Sequence, residues 1–221
     1  MRILRFLEAI RSITRKHGIL LIMDEITVGW RLHFGGMHLK YGIEPDMAVF
    51  AKALGNGYPI GAVIGSKAAM EGAQRSFISS TYWTESLGSV AALATIAAME
   101  KRDIQKVIEH SGQQVQGILQ TTAASENLPL QVKGFSALTS FSFDHPESER
   151  LRTIFTQQML SKGFLAGTSF YPTLAHNEKI IADYKQALAE TFGSLSQVIK
   201  ENSFEKWPKE EKAHSGFSRL L

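Results

Sequence analysis

The stretch that decides the fold is residues 20–61, LLIMDEITVGWRLHFGGMHLKYGIEPDMAVFAKALGNGYPIG. A short apolar run over 19–23 ends abruptly at Asp24, and a second run over 46–51 ends at Lys52. Short apolar runs bounded by charge are typical of buried parallel strands whose carboxyl ends open onto a site. Because open α/β sheets bind their ligands at that edge, the pattern predicts that Asp24 and Lys52 are partners in one site.

The composition of the 221-residue chain is that of an ordinary folded protein, with 44% hydrophobic and 20% charged residues. This length accommodates one large domain or two small ones. A formal net charge of +3 without a basic block gives no reason to expect nucleic acid as a partner. The absence of cysteine excludes disulfides and thiol catalysis. The seven histidines show no metal-ligand spacing, and no apolar run approaches the roughly 18 residues of a membrane span. We therefore expect a soluble protein with no membrane partner and no metal. The lack of cysteine leaves the redox compartment open, and the expected location is cytoplasmic.

The rest of the chain predicts alternating helices and strands in two domains. Residues 2–16 have apolar side chains at helical spacing, which fits a helix leading into the first strand or, as the weaker alternative, a transit peptide. We expect an α/β domain with a mostly parallel sheet over 1–103, a smaller α+β domain over 104–203 and a polar tail over 204–221. The predicted helices are 66–70, 87–101 (buried, and capped by Ser86), 104–124, 148–162 and 177–199. The predicted strands are 76–83, as a strand that enters a loop, 137–143 and, as strand or loop, 164–171.

A family resemblance rests on a set of residues that is specific only when taken together. They are Asp24-Glu25-Ile26, Gly29-Trp30-Arg31, Gly35-Gly36, Tyr41-Gly42-Ile43, Pro45-Asp46 and Ala51-Lys52-Ala53-Leu54-Gly55, with Gly57, Pro59, Gly61 and Ala62. This stretch resembles the class III pyridoxal-phosphate-dependent aminotransferases, above all the branch that contains glutamate-1-semialdehyde aminomutase. The resemblance covers roughly residues 3–200 and implies the C-terminal half of the α/β fold type I transferases.

The resemblance also implies pyridoxal 5′-phosphate as the cofactor and places four residues at its site. Lys52 matches the lysine that forms a Schiff base with the cofactor aldehyde and then carries protons between substrate carbons. Asp24 matches the aspartate that keeps the ring nitrogen protonated. Ile26 would press an apolar face on the ring if the strand continues, since it lies two residues after Asp24. Thr81 resembles the threonine that donates to the cofactor phosphate from the neighbouring subunit, which implies a homodimer.

The neighbours of these residues add expectations of their own. The apolar residues on both sides of Lys52, within 50–54, predict that its amine is withdrawn from water, which favours the neutral nucleophile. Glu25 would point away from Asp24 and is expected to be structural. A hydroxyl at Thr81 also fits an ordinary strand-end hydrogen bond.

The implied reaction moves an amino group from a small-molecule amino donor to an oxo acceptor, as an aminotransferase or an aminomutase does. The substrates stay open, because Phe170-Tyr171 stands where the aminomutase has an acidic residue just after an aromatic one. We favour an aminotransferase.

Two alternatives remain. The family has a small-residue phosphate loop and a ring-stacking aromatic ahead of this stretch, and neither has a counterpart here. The first alternative is therefore that the chain is a non-catalytic fragment, a pseudoenzyme or one half of a split aminotransferase. Alone it is expected to retain cofactor weakly, to self-associate and to transfer no amino group. An apolar strand ending in an acid also occurs in P-loop ATPases, but their G-x-x-x-x-G-K-[ST] loop is absent.

Overall fold

The computed structural model describes residues 2–206, which form two compact units divided between Lys106 and Val107. The helix over Ile104–Ser125 crosses this division, and the other elements of the first unit precede it. In chain order they are α1 (Arg2–Lys16), β1 (Ile22–Asp24), α2 (Met37–Tyr41), β2 (Met47–Phe50), a 3-10 helix (Lys52–Leu54), β3 (Ala62–Gly65), α3 (Lys67–Gln74) and α4 (Leu87–Arg102). The helix predicted over 2–16 is therefore present.

The first unit contains a three-stranded mixed sheet in the order β1-β2-β3. Strands β1 and β2 pair in parallel, with Asp24 opposite Val49, whereas β2 and β3 are antiparallel. The prediction of a mostly parallel sheet is thus met by one of the two pairings. Strand β3 was not predicted, because its four residues follow a glycine- and proline-rich turn and do not alternate between apolar and polar side chains. Strand β1 begins three residues later than the apolar run, since the exposed residues 19 and 20 precede the ladder.

A half-buried ion pair ties α1 to the sheet. Arg11 donates from both terminal nitrogens to the carboxylate of Asp46, at 2.5 and 3.1 Å. The amide of Leu21 also donates to Asp46, at 2.8 Å. The bond from Arg11 and then that from Leu21 lower the pKa of Asp46 from 3.8 to about 2. Asp46 therefore joins the helix, the start of β1 and the start of β2.

The segment between β3 and α4 agrees with the prediction at one point and differs from it at two. The predicted helix over 66–70 is confirmed and extends to Gln74, with the Ser66 side chain accepting from the amide of Ala69. The strand predicted over 76–83 is wrong, because this exposed segment contains turns and no ladder hydrogen bonds. The Ser86 cap is also wrong: the Glu85 carboxylate instead accepts from the amide of Leu87 at 2.7 Å.

Helix α4 is apolar on most faces but buried on one only, which corrects the expectation of a buried helix. Its buried residues are Gly88, Ala92 and Met99. Val90 and Leu93 on other faces are 60% and 69% exposed. The described part of the first unit therefore leaves a large apolar helix face uncovered.

The second unit has helices packed on an antiparallel sheet in the order β4-β5-β6. Its elements are α5 (Ile104–Ser125, which begins in the first unit), β4 (Leu130–Lys133), a 3-10 helix (Ser136–Leu138), β5 (Thr139–Phe143), α6 (Ser148–Ser161), β6 (Ser169–Phe170), α7 (Glu178–Glu201) and a 3-10 helix (Phe204–Lys206). The predicted helices and the strand at 137–143 are present within a few residues, and β6 is the short strand within 164–171. Strand β4 was not predicted.

The core of the second unit is built from aromatic and aliphatic side chains on β5, α6 and α7. Phe155 lies at its centre, with ring centroids of Phe141 and Phe192 at 5.3 and 6.1 Å. Phe204 is buried as well and stacks on His145, so the first residue of the predicted tail belongs to the core. The rest of that tail, 207–221, lies outside the described residues. No helix in the described part is long and apolar enough to cross a membrane.

Candidate functional site

The structure brings the carboxyl ends of β1 and β2 to the same edge of the first sheet. Asp24 is the last residue of β1, and the amide that follows it donates to the carbonyl of Val49 at 2.8 Å. Lys52 comes two residues after the end of β2. Because the two strands are parallel neighbours, an acid and an amine leave the sheet side by side, as the two run ends predicted. Both side chains are exposed.

Asp24 ends its strand by turning the chain. Its Oδ1 accepts from the amide of Ile26 at 3.0 Å, and the chain continues through turns rather than as a strand. Ile26 is half-buried in this turn. The expectation that Ile26 shares a strand face with Asp24 is therefore wrong, since strand alternation ends at Asp24.

Lys52 has an unusual backbone conformation. Its φ is +46°, in the left-handed region that side chains other than glycine rarely adopt. The turn that follows is tight: the amides of Gly55 and Asn56 both donate to the Lys52 carbonyl at 3.1 Å. A Cβ at position 55 would collide with the carbonyl oxygen of Tyr58, so only glycine fits there.

The amine of Lys52 is held by a residue that the sequence did not single out. Its Nζ donates to Thr27 Oγ1 at 2.7 Å, which links the loop after β2 to the loop after β1. The expectation that Lys52 is withdrawn from water is wrong, because its apolar neighbours turn inward while its own side chain stays exposed. A hydroxyl in the loop after the acid-bearing strand was the one available signal for Thr27.

A buried carboxylate supports the loop beneath these residues. Glu25 is 1% exposed and accepts from the amides of Met37 and His38, each at 2.9 Å. Its Oε1 also lies 2.8 Å from His38 Nδ1. A Cβ on Gly36 would approach Glu25 Oε1 to 3.0 Å and collide with the His38 ring, so glycine allows this close approach. The predicted structural role of Glu25 agrees with these contacts.

Aromatic rings cover the inner side of the same loops. The indole of Trp30 lies edge-on to Phe34 at 5.3 Å and tilted to Phe50 at 6.2 Å. The Trp30 carbonyl accepts from Gln105 Nε2 at 3.0 Å, while its Nε1 is buried without a hydrogen-bond partner among the described residues. Phe50, the last residue of β2, thus packs against Trp30 just before the chain reaches Lys52.

Thr81 lies in the exposed turns that precede α4. It is exposed in the turn after Ser80, and no hydrogen bond among the described residues joins it to Asp24 or Lys52. A broad cavity of about 1070 Å³ adjoins this segment, lined by Ile60, Tyr82 and Trp83 among others. Within residues 2–206 there is no group of three or more side chains suited to hold a metal ion.

Comparison with known proteins identifies the family. The family described as aminotransferase class-III matches residues 3–199. Glutamate-1-semialdehyde 2,1-aminomutase from Thermodesulfovibrio yellowstonii is 30% identical over 211 residues, an alignment that covers 86% of this chain and 48% of the relative. The 2′-deamino-2′-hydroxyneamine transaminase of Streptomyces kanamyceticus is 29% identical, with 84% of this chain and 48% of the relative covered.

Solved structures show the same fold and the same extent. The PLP internal aldimine form of the FumI protein from Sphingopyxis sp. superposes with a TM-score of 0.83 at 23% identity, over 90% of this chain and 48% of that one. An omega-transaminase from Sphaerobacter thermophilus gives 0.76 at 22% identity, over 88% and 48%. The chain thus spans about half the length of the relatives it matches, in the predicted α/β fold type I architecture. It belongs to the class III aminotransferase family.

Proposed function

We propose that this chain carries the lysine and aspartate of a pyridoxal-phosphate site and serves in the transfer of an amino group from a small-molecule donor to an oxo acceptor. The observation that carries the proposal is the exit of Asp24 and Lys52, side by side, from adjacent parallel strands. Family membership supports the same chemistry.

The groups at this edge fit the cofactor. Pyridoxal phosphate needs a primary amine for its aldehyde and a carboxylate for its ring nitrogen, and both are exposed here on neighbouring loops. The strained backbone at Lys52 is also typical of functional sites, since such conformations persist where the surrounding structure holds them. Asp24 keeps one carboxylate oxygen for its own turn and has the other for a ligand.

The residues of the chain would divide the work as follows. Bound pyridoxal phosphate supplies an electron-accepting ring that stabilises negative charge on the substrate carbon that loses its proton. Lys52 Nζ would hold the cofactor at its aldehyde carbon and, once released, accept that proton and return it to another carbon. Asp24 would keep a proton on the ring nitrogen. As the family resemblance implies, Ile26 would contact the ring from the turn after Asp24, and Thr81 would donate to the phosphate.

The assembly and domain roles are part of the proposal. We assign residues 1–103 to the cofactor domain, 104–203 together with the buried Phe204 to the small domain, and the rest of 204–221 to a tail. The complete enzyme is proposed to be a cytoplasmic homodimer. The exposure of Thr81 in the turns before α4 fits this assembly, because a second subunit could then use its hydroxyl.

A second candidate is one half of a split aminotransferase, or a fragment without activity of its own. It is favoured by the uncovered apolar face of α4, where Val90 and Leu93 are exposed. Such a face suits contact with further polypeptide.

Peptide mapping of the bound cofactor tests the site. The chain is incubated with excess pyridoxal phosphate, reduced with borohydride and digested, with Lys52→Ala treated in parallel. We expect an absorbance band in the visible range and an adduct concentrated on Lys52, both lost in the variant. An adduct spread equally over Lys40 and Lys67, or unchanged by Lys52→Ala, would overturn the assignment.

A further inference from the structure

The geometry points to Thr27 as a positioning residue for Lys52, an inference that rests on the proposed function of that lysine. The Thr27 hydroxyl accepts from Lys52 Nζ at 2.7 Å. It is the polar partner of an exposed amine at the end of a long side chain. We propose that this bond holds the amine at one point above the carboxyl edge of the sheet before the cofactor arrives.

The backbone on the lysine side is fixed independently of this bond. Lys52 is held at φ +46° by the turn that follows it, in which two amides donate to its carbonyl. The turn settles where the Cα lies but leaves the side chain its rotatable bonds. A lysine side chain has several rotatable bonds, so an exposed amine without a partner would sample many positions. The Thr27 hydroxyl restricts that sampling.

Thr27 is itself placed by the turn that Asp24 begins. The Asp24 carboxylate accepts from the amide one residue before Thr27, and the amide of Gly29 donates to the Glu25 carbonyl at 2.8 Å. Thr27 is half-buried. A Cβ on Gly29 would collide with that same carbonyl and with the Phe50 ring, so the turn is tightly packed. The acid-bearing loop therefore positions the amine of the neighbouring loop.

The test compares Thr27→Val, which removes the hydroxyl but keeps the shape, with Thr27→Ser, which keeps the hydroxyl. Without cofactor, each chain is treated with a small acetylating ester, and the rate at every lysine is read by peptide mass spectrometry. We expect Lys52 in Thr27→Val to react about threefold to tenfold faster relative to Lys40 and Lys67, since one hydrogen bond no longer competes for the amine. Thr27→Ser should match the parent.

A second measurement uses pyridoxal phosphate and borohydride on the same set of proteins. Unlike the small ester, the cofactor would be bound at one place at the sheet edge. The fraction of adduct on Lys52 should therefore fall in Thr27→Val, where the amine is no longer held there, and be kept in Thr27→Ser. Thr121→Val removes a hydroxyl bonded within its own helix and should change neither measurement. Hydrogen exchange of β1 and β2 amides checks that each variant is folded.

The outcomes separate this inference from the proposed function. If acetylation of Lys52 is the same in Thr27→Val as in the parent, the positioning role is wrong even where the cofactor maps to Lys52. If Lys52 is acetylated faster in Thr27→Val but the cofactor adduct in the parent does not map to Lys52, the positioning role of Thr27 is supported and the proposed function is wrong.

Discussion

In the second unit, Phe155 and Phe192 are fully buried in a cluster that also includes Leu119, Leu151 and Leu188, whereas in the first unit Val90 and Leu93 lie open to solvent. The buried cluster of the first unit consists of Ala48, Phe50, Leu54 and Ala92, with partly buried residues around it. The two units are of similar length, so the difference lies in how apolar residues are used.

The contrast shows which forces hold each unit. Apolar burial at roughly 25 cal/mol per Å² can account for much of the second unit's stability. The first unit relies more on polar ties, above all Asp46 with Arg11 and Glu25 with the α2 amides. Those ties anchor the strands and loops that carry Asp24 and Lys52. The unit with the site is thus the one with the smaller apolar core.

The largest expected effect comes from breaking the larger core. Phe155→Ala should lower the free energy of unfolding of the second unit by about 3–5 kcal/mol, because it leaves a cavity among three other phenylalanine rings. The matched control, Phe77→Ala, removes a side chain that is 96% exposed and should change stability by less than about 0.5 kcal/mol. Faster amide hydrogen exchange in α6 and α7 would measure the loss of stability. Equal losses in the two variants would contradict the contrast.

A smaller effect is expected from removing the buried carboxylate of the first unit. Glu25→Ala leaves the amides of Met37 and His38 without their acceptor, at a cost of about 1–3 kcal/mol. Glu25→Gln keeps one acceptor oxygen and should lose less. The readout is faster amide exchange at positions 37 and 38, with α7 unchanged. Protection of both amides in Glu25→Ala equal to the parent would show that the polar tie contributes little.

The smallest effect is expected at Asp46 and depends on pH. Because the pKa of Asp46 falls from 3.8 to about 2 on folding, its carboxylate stabilises the native state above pH 4, and this contribution disappears as the pH falls toward 2. Asp46→Asn should therefore unfold at a lower urea concentration than the parent at pH 7, with the gap closing below pH 4. Glu44→Gln is the matched control, since Glu44 is 89% exposed and 3.6 Å from Arg15. A gap that is constant from pH 7 to pH 2.5 would contradict this role.

The sequence predicted which charged side chains leave the first sheet at the ends of its parallel strands. Asp24 and Lys52 could be paired because abrupt transitions from apolar to charged residues mark where buried strands stop. The contact of Thr27 could not be predicted, since it depends on how two loops turn after those strands. The exposure of Lys52 was also missed, because apolar neighbours along the chain do not reveal which way a side chain points.

The same limit explains the errors in the fold. The helices of the second unit have apolar residues at helical spacing over several turns, so their ends were predicted to within a few residues. Strands β3 and β4 have four residues each, too few for a period to emerge between turns. The segment 76–83 has strand-forming residues but no neighbouring strand to pair with in the described structure.

The packing of Trp30 gives the first unit an optical reporter. Its indole contacts the ring of Phe50, two residues before Lys52, and its carbonyl is tied to Gln105. The chain has two other tryptophans, at positions 83 and 207. With both of those replaced by phenylalanine, the emission wavelength and lifetime of the Trp30 indole would change when the packing around Phe50 changes. Binding of the cofactor at Lys52 could then be followed by fluorescence in real time.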